Sequence, residues 1–280
     1  MKIGIIGNGF VGKATRLLEG KNEVIVYDIN PQLCYPLNLD FEELSTTSVI
    51  FICVPTPMEK SGKPHLEIVY NVVDKLKKLK GDFHIIIKST VPPGTAEKLG
   101  VHFMPEFLTE KNWEYDFTHQ KEWILGISDN CKNSDKVQEV VQLVFSSSYE
   151  EGKIKSDKLI VIPSKEAEMI KYFKNTYLAV KVSFCNEIYD YCQANNIDYN
   201  KVVSTVALDE RISKSHTNVP GSDGKRGYGG TCFPKDISAL LYEFKQSDLE
   251  SFILEASQRR NIQKDRIDQD WNSNMGRSVI

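Results

Sequence analysis

Residues 2–12 read Lys2-Ile3-Gly4-Ile5-Ile6-Gly7-Asn8-Gly9-Phe10-Val11-Gly12, and the fold is decided by how this stretch is read. A short apolar run is stopped by Gly-x-Gly-x-x-Gly, and a helical pattern over 11–18 begins inside that motif. A second apolar run at 24–27 ends on Asp28. Strand, glycine turn, helix and strand with a terminal acid is the context that turns a weak glycine motif into a dinucleotide-binding signal. Gly7 suits the tight turn, Gly9 lets backbone approach a pyrophosphate, and Gly12 lets helix and strand pack closely. The N–H groups at the helix start, with Asn8, Phe10 and Val11 between the glycines, offer a positive dipole end to phosphates. Asp28 would accept hydrogen bonds from the adenosine ribose and repel a 2′-phosphate, and no arginine follows at Ile29 or Asn30. The expected cofactor is NAD rather than NADP. Gly7 and Gly12-Lys13 also fit the opening of a P-loop, but that motif needs Ser or Thr next, where this chain has Ala14.

Working outward, further apolar runs lie at 49–54, 84–87, 101–104, 123–127 and 159–162, with helical stretches at 66–79 and 134–145. The runs are short, β-branched and continuous rather than alternating, as strands buried on both faces of a parallel sheet are. Strand–helix alternation predicts an α/β fold, a Rossmann-type doubly wound parallel sheet. Ligands in such sheets sit at the carboxyl ends of the strands. There the chain places the glycine loop, Asp28, Val54-Pro55-Thr56, Lys88-Ser89-Thr90 and Pro105-Glu106-Phe107-Leu108.

From Ser164 to about residue 196 there is neither proline nor glycine, and apolar or aromatic residues recur at 170, 173, 177, 180, 184, 188 and 191. The spacing predicts one helix roughly 45–50 Å long at about 1.5 Å per residue, a length suited to joining domains or supporting a subunit interface. Lys171 and Asn175 fall at i, i+4 on one face. The loop 213–230 holds five glycines and many polar residues, and leads through Gly229-Gly230-Thr231 to Cys232, just ahead of a helix whose start carries Pro234 and Asp236. A thiol at a helix N-terminus is activated and accessible. The expected organisation is an NAD-binding domain over 1–163, a connecting helix over 164–196, and an all-helical second domain over 197–280.

Composition narrows the function. The chain has 280 residues, 41% of them apolar, with 35 basic against 38 acidic residues and a net charge of −3. That near-balance argues against nucleic acid held by bulk charge. No apolar run reaches the ~18 residues of a membrane span. The six cysteines, at 34, 53, 131, 185, 192 and 232, show no zinc-type spacing, so no metal is expected. They read as reduced thiols of a cytoplasmic protein, and all but Cys232 read as small buried apolar residues.

The segments GNGFVG at 7–12, VPTP at 54–57, KSTVPPGT at 88–95, PEFLTE at 105–110, EAEMIKYFKNTYLAVKVSFCNEI at 166–188, DERI at 209–212 and GYGGTCFPKDI at 227–237 together resemble the nucleotide-sugar dehydrogenases of the UDP-glucose/GDP-mannose dehydrogenase family. They occur in that family's order. The resemblance implies NAD-dependent, four-electron oxidation of the 6-hydroxyl of a nucleotide-linked hexose, with UDP-glucose to UDP-glucuronate as the default. It implies Cys232 as the nucleophile that carries a thiohemiacetal and then a thioester. Lys171 matches the oxyanion-stabilising lysine, Asn175 a positioning residue, Asp236 the acid that orders water, Glu106 the glutamate of thioester hydrolysis, and Thr90 a water-binding hydroxyl. Phe107, Leu108, Arg211, Tyr228 and Gly229 match substrate-contact positions, while Ser89, Glu110 and Lys235 match positions near NAD.

The resemblance also implies a homodimer through the helix 164–196, with the arginine of DERI reaching a neighbouring subunit. Met104 stands where the family has asparagine, and Thr109-Glu110-Lys111 where it has Ala-Glu-Gly. The family's third domain, which closes over the nucleotide, is expected to be missing. The loop 213–226, with His216, Lys225 and Arg226, is the expected substitute. Two other readings share parts of this pattern: a single-step β-hydroxyacid-type dehydrogenase, and a non-catalytic NAD-binding protein.

Overall fold

In a computed structural model of the protein, which describes residues 1–131 and 134–280, the apolar runs become the strands β1 (Lys2–Ile6), β2 (Glu23–Tyr27), β3 (Val49–Ile52), β4 (His84–Ile87), β5 (His102–Phe103), β6 (Trp123–Ile127) and β7 (Leu159–Pro163). Among the described residues they form one sheet in the order β2-β1-β3-β4-β5-β6-β7. Neighbours pair in parallel except β5 and β6, which run antiparallel through Phe103 and Gly126. The doubly wound parallel sheet is as expected; the one antiparallel step, between β5 and β6, is not foreseeable from the sequence, since continuous apolar runs report burial on both faces and not strand direction.

The helices are α1 (Phe10–Arg16), α2 (Glu67–Leu76), α3 (Thr95–Leu99), α4 (Trp113–Thr118), α5 (Ser134–Glu150), α6 (Ser164–Ala194), α7 (Tyr199–Val206), α8 (Phe233–Gln246) and α9 (Phe252–Arg260). The pleat sends alternate strand residues to opposite faces. Ile3, Ile5, Val24, Val26, Val49 and Phe51 pack with Ala14 and Leu18 and with Val137, Val141 and Val144 of α5. Ile25, Ile50, Ile52, Ile85 and Ile87 pack with Val69, Val73 and Leu76 of α2, Ala96 of α3 and Ala167 of α6. The sheet is thus covered on both faces, and its order reverses between β1 and β3, where α/β folds bind ligands.

The chain divides into a first unit, Met1–Thr56 with Leu66–Lys171, and a second, Pro57–His65 with Tyr172–Ile280. The second unit is helical apart from short bridges. Met58 pairs with the carboxyl-terminal tail, donating its N–H to Ser278 O at 2.8 Å and accepting from Ile280 N–H at 3.1 Å. Ala179, Ile237 and Leu241 form one apolar cluster with Tyr228. Cys185, Cys192, Tyr199 and Val219 form another. No helix among the described residues is long and apolar enough to cross a membrane.

Helix α6 has 31 residues, about 46 Å at 1.5 Å per residue. Its aromatic stripe is not core. Phe173, Tyr177, Phe184 and Tyr191 are 64%, 59%, 62% and 63% exposed. Cys34, Cys53, Cys185 and Cys192 are buried as expected, but Cys131 is only half-buried.

The first turns of α6 are anchored in the first unit by Glu168, which is fully buried. Its carboxylate accepts from the Gly94 N–H at 2.5 Å and the Ala96 N–H at 2.8 Å, at the start of α3. Burial pushes its pKa up to about 7 against the pull of those hydrogen bonds. An unfolded glutamate titrates near 4.3, roughly, so the folded state binds this proton more tightly. The stability that Glu168 contributes is full below about pH 4 and is lost as pH rises through about 7. Between pH 5 and pH 8 the wild type is expected to lose on the order of 2–3 kcal/mol more than Glu168→Gln, which cannot ionise. Urea denaturation at the two pH values checks this, and equal losses in the two proteins would contradict it.

Candidate active site

The glycine loop is built for close approach. Gly7 has φ +93°, and a Cβ there would meet the Cys53 carbonyl at 2.7 Å, while a Cβ on Gly12 would meet the Gly7 carbonyl at 1.9 Å. Both positions are closed to side chains by the fold itself. Gly9 differs: a Cβ there would meet nothing within 4 Å. The space in front of Gly9 and the N–H groups of Phe10, Val11 and Gly12 fits a pyrophosphate at a helix start. The Asp28 carboxylate is already oriented, accepting from the Asn8 N–H at 2.8 Å and the Asn30 N–H at 2.9 Å. That geometry fits a ribose diol, so these residues suit NAD.

At the neighbouring strand ends of the first unit, Ser89 donates to the Val54 carbonyl at 2.6 Å, tying the loop after β4 to the loop after β3. Pro55 is exposed, Thr56 buried and Thr90 half-buried beside them. After β5, Lys171 donates to Glu106 Oε1 at 2.7 Å and to the Glu106 carbonyl at 2.8 Å. The Leu108 N–H donates to Glu106 Oε2 at 2.7 Å. The side chains of Lys171 and Glu106 are only 4% and 7% exposed. Burial alone would raise the Glu106 pKa, but the Lys171 charge and hydrogen bond, the Leu108 N–H and the Lys88 charge hold it below the usual carboxylate range. The Lys171 ammonium also lies 5.8 Å from the Phe107 ring centroid. Glu110 lies on the exposed chain that follows.

Lys88 received no role from the sequence, yet its side chain is buried. Burial pushes its pKa down, with Cys53 and Glu106 acting against that shift. A lysine that ends an apolar strand was the available signal, because the residues on both sides of it are core.

In the second unit, Cys232 is the N-cap of α8 and is half-buried. Pro234 and Asp236 occupy the first turn, and the Asp236 N–H donates to the Cys232 carbonyl at 2.9 Å. The Asp236 carboxylate is buried, and it accepts from Asn175 Nδ2 at 2.5 Å and from the Lys235 ammonium. Tyr228 is buried, with its ring edge-on to Phe233 at 6.5 Å, and Gly229 follows it. Within this unit, therefore, the side chains of Asp236, Asn175 and Lys235 come together one helical turn after Cys232. Arg211 does not join them: its side chain is 87% exposed and forks onto Asp209.

Lys225 and Arg226, in the loop expected to substitute for the third domain, are both engaged in ion pairs within the second unit. Lys225 pairs with Asp268 and, at 3.6 Å, with Asp270. Arg226 pairs with Asp190 at 2.8 Å and Asp265 at 2.9 Å. Sequence spacing shows nothing of such partners, which lie about 40 residues away.

The two glycines make opposite predictions. Gly9→Val is expected to leave thermal stability unchanged, since nothing lies within 4 Å, and to abolish NAD binding. Gly12→Ala forces backbone movement and is expected to lose on the order of 1–3 kcal/mol of stability as well. Thermal melts with and without NAD measure both, and tight NAD binding by a folded Gly9→Val would contradict the assignment.

Two sequence profiles match the chain. Residues 34–146 match the NAD binding domain, and residues 165–263 the central domain, of the UDP-glucose/GDP-mannose dehydrogenase family. The UDP-glucose 6-dehydrogenase of Rickettsia bellii is 32% identical over 235 residues, covering 80% of this chain and 51% of that protein. The enzyme of the same name from Rickettsia felis is 29% identical over 306 aligned positions, covering 94% and 65%. The chain thus spans about half to two-thirds of the length of these curated relatives. Among solved structures, a UDP-glucose dehydrogenase from Pyrobaculum islandicum superposes with a TM-score of 0.74 at 26% identity, over 93% of this chain and 67% of that one. Two profiles of one family, in order along the chain, have one reading: this chain belongs to the UDP-glucose/GDP-mannose dehydrogenase family.

Proposed function

We propose that the protein is an NAD-dependent nucleotide-sugar dehydrogenase that oxidises the 6-hydroxyl of a nucleotide-linked hexose, UDP-glucose first, to the carboxylate. The observation that carries this reading is Cys232. It is a thiol at the start of a 14-residue helix, one turn from a buried aspartate held by Asn175. A dehydrogenase that moves a single hydride has no use for that thiol. The β-hydroxyacid-type alternative shares the sheet and the long helix but leaves Cys232 and Asp236 without a role.

The chemistry requires a nucleophile. Loss of hydride from C6 and of the hydroxyl proton gives an aldehyde, whose remaining C–H yields hydride only after something adds to the carbonyl. Cys232 sulfur adds, a C–S bond forms, and a thiohemiacetal results. Loss of the second hydride leaves a thioester. Water then adds, the C–S bond breaks, and sulfur departs as thiolate. One alcohol, one water and two NAD⁺ give one carboxylate, two NADH and three protons. NAD, when bound, supplies only the hydride acceptor.

Lys171 stabilises the oxyanion at each addition, an effect worth about 3–4 kcal/mol. Glu106, kept ionised by its neighbours, is in the state that accepts a proton from attacking water. Asp236 and Thr90 order that water, and Asn175 positions Asp236. Gly7 to Gly12, Asp28, Val54, Pro55, Thr56, Ser89, Glu110 and Lys235 hold the dinucleotide. Phe107, Leu108, Tyr228 and Gly229 contact the sugar nucleotide.

We further propose a homodimer through α6, with Arg211 serving the partner's site. The exposed aromatics Phe173, Tyr177, Phe184 and Tyr191 supply a self-complementary stripe, and the rings of Phe173 and Tyr177 stack at 9°. Replacing both Tyr177 and Phe184 by Glu is expected to yield monomers in sedimentation velocity. An unchanged oligomer in that variant, or a monomeric wild type, would contradict this.

Incubation with NAD⁺ and a panel of UDP- and GDP-hexoses tests the main reading. Two NADH per sugar are expected, and Cys232→Ser is expected to lower acid formation by on the order of a hundredfold or more. One NADH per sugar would instead support the single-step alternative, and NAD binding without turnover would support the non-catalytic one.

A further inference from the structure

Beyond α9 the chain makes one π-helical turn, Asn261–Asp265, in which the Arg266 N–H reaches back to the Asn261 carbonyl at 2.7 Å. Such turns are uncommon and concentrate at functional sites. Here the wider turn directs three side chains, those of Asn261, Asp265 and Arg266, onto one target, the loop that leads to Cys232.

Asn261 is fully buried. Its Oδ1 accepts from the Tyr228 N–H at 2.9 Å, and its Nδ2 donates to the Tyr228 carbonyl at 2.9 Å. The side-chain amide thus pairs with one loop residue as a neighbouring strand would. The same Oδ1 lies 2.3 Å from where a Cβ on Gly227 would stand, so the missing side chain is what admits Asn261. Arg266 and Asp270 fill the equivalent space at Gly229, each with an atom 2.7 Å from the would-be Cβ. Arg266 also pairs with Asp223. Asp265, whose side chain is fully buried, takes Arg226 and Arg260 at 2.9 Å each. From the other side, Asn186 of α6 accepts from the Arg226 guanidinium at 3.1 Å and from the Gly227 N–H at 3.3 Å.

The two glycines carry no side chains, so a distant segment can grip the Tyr228 backbone between them, and the grip ends a few residues short of the nucleophile. We propose that Asn261 is a positioning residue for Cys232: it fixes the Gly227-Tyr228-Gly229 backbone and through it sets the orientation and reactivity of the thiol at the start of α8. Asp265 and Arg266 hold the flanks of the same loop. Asn261 touches no reacting atom, so its effect is carried by the backbone between Tyr228 and Cys232. The part of this inference that concerns turnover rests on the dehydrogenase reading, whereas the part that concerns thiol reactivity does not.

The test uses the 280-residue protein and two variants that break the contact from opposite sides. Asn261→Asp keeps the shape but cannot donate to the Tyr228 carbonyl, and Gly227→Ala places a methyl group where Oδ1 sits. Three quantities are measured: the pH profile of iodoacetamide alkylation of Cys232, followed on its own peptide by mass spectrometry; NAD affinity; and kcat and KM with the nucleotide sugar. Each variant is expected to remain folded by circular dichroism and to keep its NAD affinity within twofold. Each is also expected to shift the Cys232 alkylation rate at least fivefold and to lose at least tenfold in kcat.

Alkylation within twofold of wild type in a folded variant overturns the proposal. So does unfolding of both single variants, which would make Asn261 a stability residue. If the wild type oxidises no nucleotide sugar while alkylation still responds to Asn261→Asp, the positioning role stands and the dehydrogenase reading falls.

Discussion

The ion pair of Lys171 with Glu106, closed at 2.7 Å and almost wholly out of solvent, is the interaction on which the candidate chemistry of the first unit rests. Two charges stay buried only because each is satisfied. Lys171 donates to a carboxylate oxygen and a carbonyl of the same residue, and Glu106 takes the Leu108 N–H on its other oxygen. Removing one partner of such a pair leaves an uncompensated charge and costs about 3–5 kcal/mol. The pair also fixes where α6 begins relative to the carboxyl end of β5. One turn earlier Glu168, with no paired cation among the described residues, accepts two backbone N–H groups at the start of α3, and Ala167 packs in the apolar layer beside it. The same few residues thus secure the helix and hold the groups assigned to chemistry.

A second constraint governs the second unit. A thiol at the head of a helix gains from the helix dipole, but only if the loop that delivers it is held still. That loop is rich in glycine, the residue with the most backbone freedom to lose. The structure answers with side-chain amides and guanidinium groups that come from segments far along the chain and occupy the spaces the glycines leave. Gly227 and Gly229 are therefore gaps for neighbours, in the same sense that Gly12 is a gap for the Gly7 carbonyl.

Much of this was legible in the sequence, for identifiable reasons. The glycine loop, the strand ends and the long proline-free helix are local patterns with fixed periods, and they appear where those periods place them. Short helices such as Thr95–Leu99 and Trp113–Thr118 contain too few turns to show a period. The antiparallel step at β5 and β6 was invisible because burial carries no direction. The stripe at 173, 177, 184 and 191 was read as a helical face, and periodicity cannot say whether such a face meets core, solvent or another protein.

At the candidate site, Cys232, Asp236 and Glu106 stood out by local chemistry or by resemblance, whereas the Lys88 burial and the Asn261 grip depend on contacts between residues far apart in the chain. Lys225 and Arg226 show the converse limit of a local reading. Two adjacent cations in a polar loop look available until their acidic partners are in view.

The central claim is that Cys232 bonds covalently to the oxidised sugar carbon, and rapid quenching in acid tests it most directly. The protein is mixed with NAD⁺ and UDP-glucose, quenched during the first turnovers and digested, and the peptide carrying Cys232 is weighed. The account predicts an adduct equal to the substrate less four hydrogens, the thioester, on that sulfur and on no other of the six cysteines. NADH formed while Cys232 remains an unmodified thiol throughout, or the adduct found on a different residue, would contradict it.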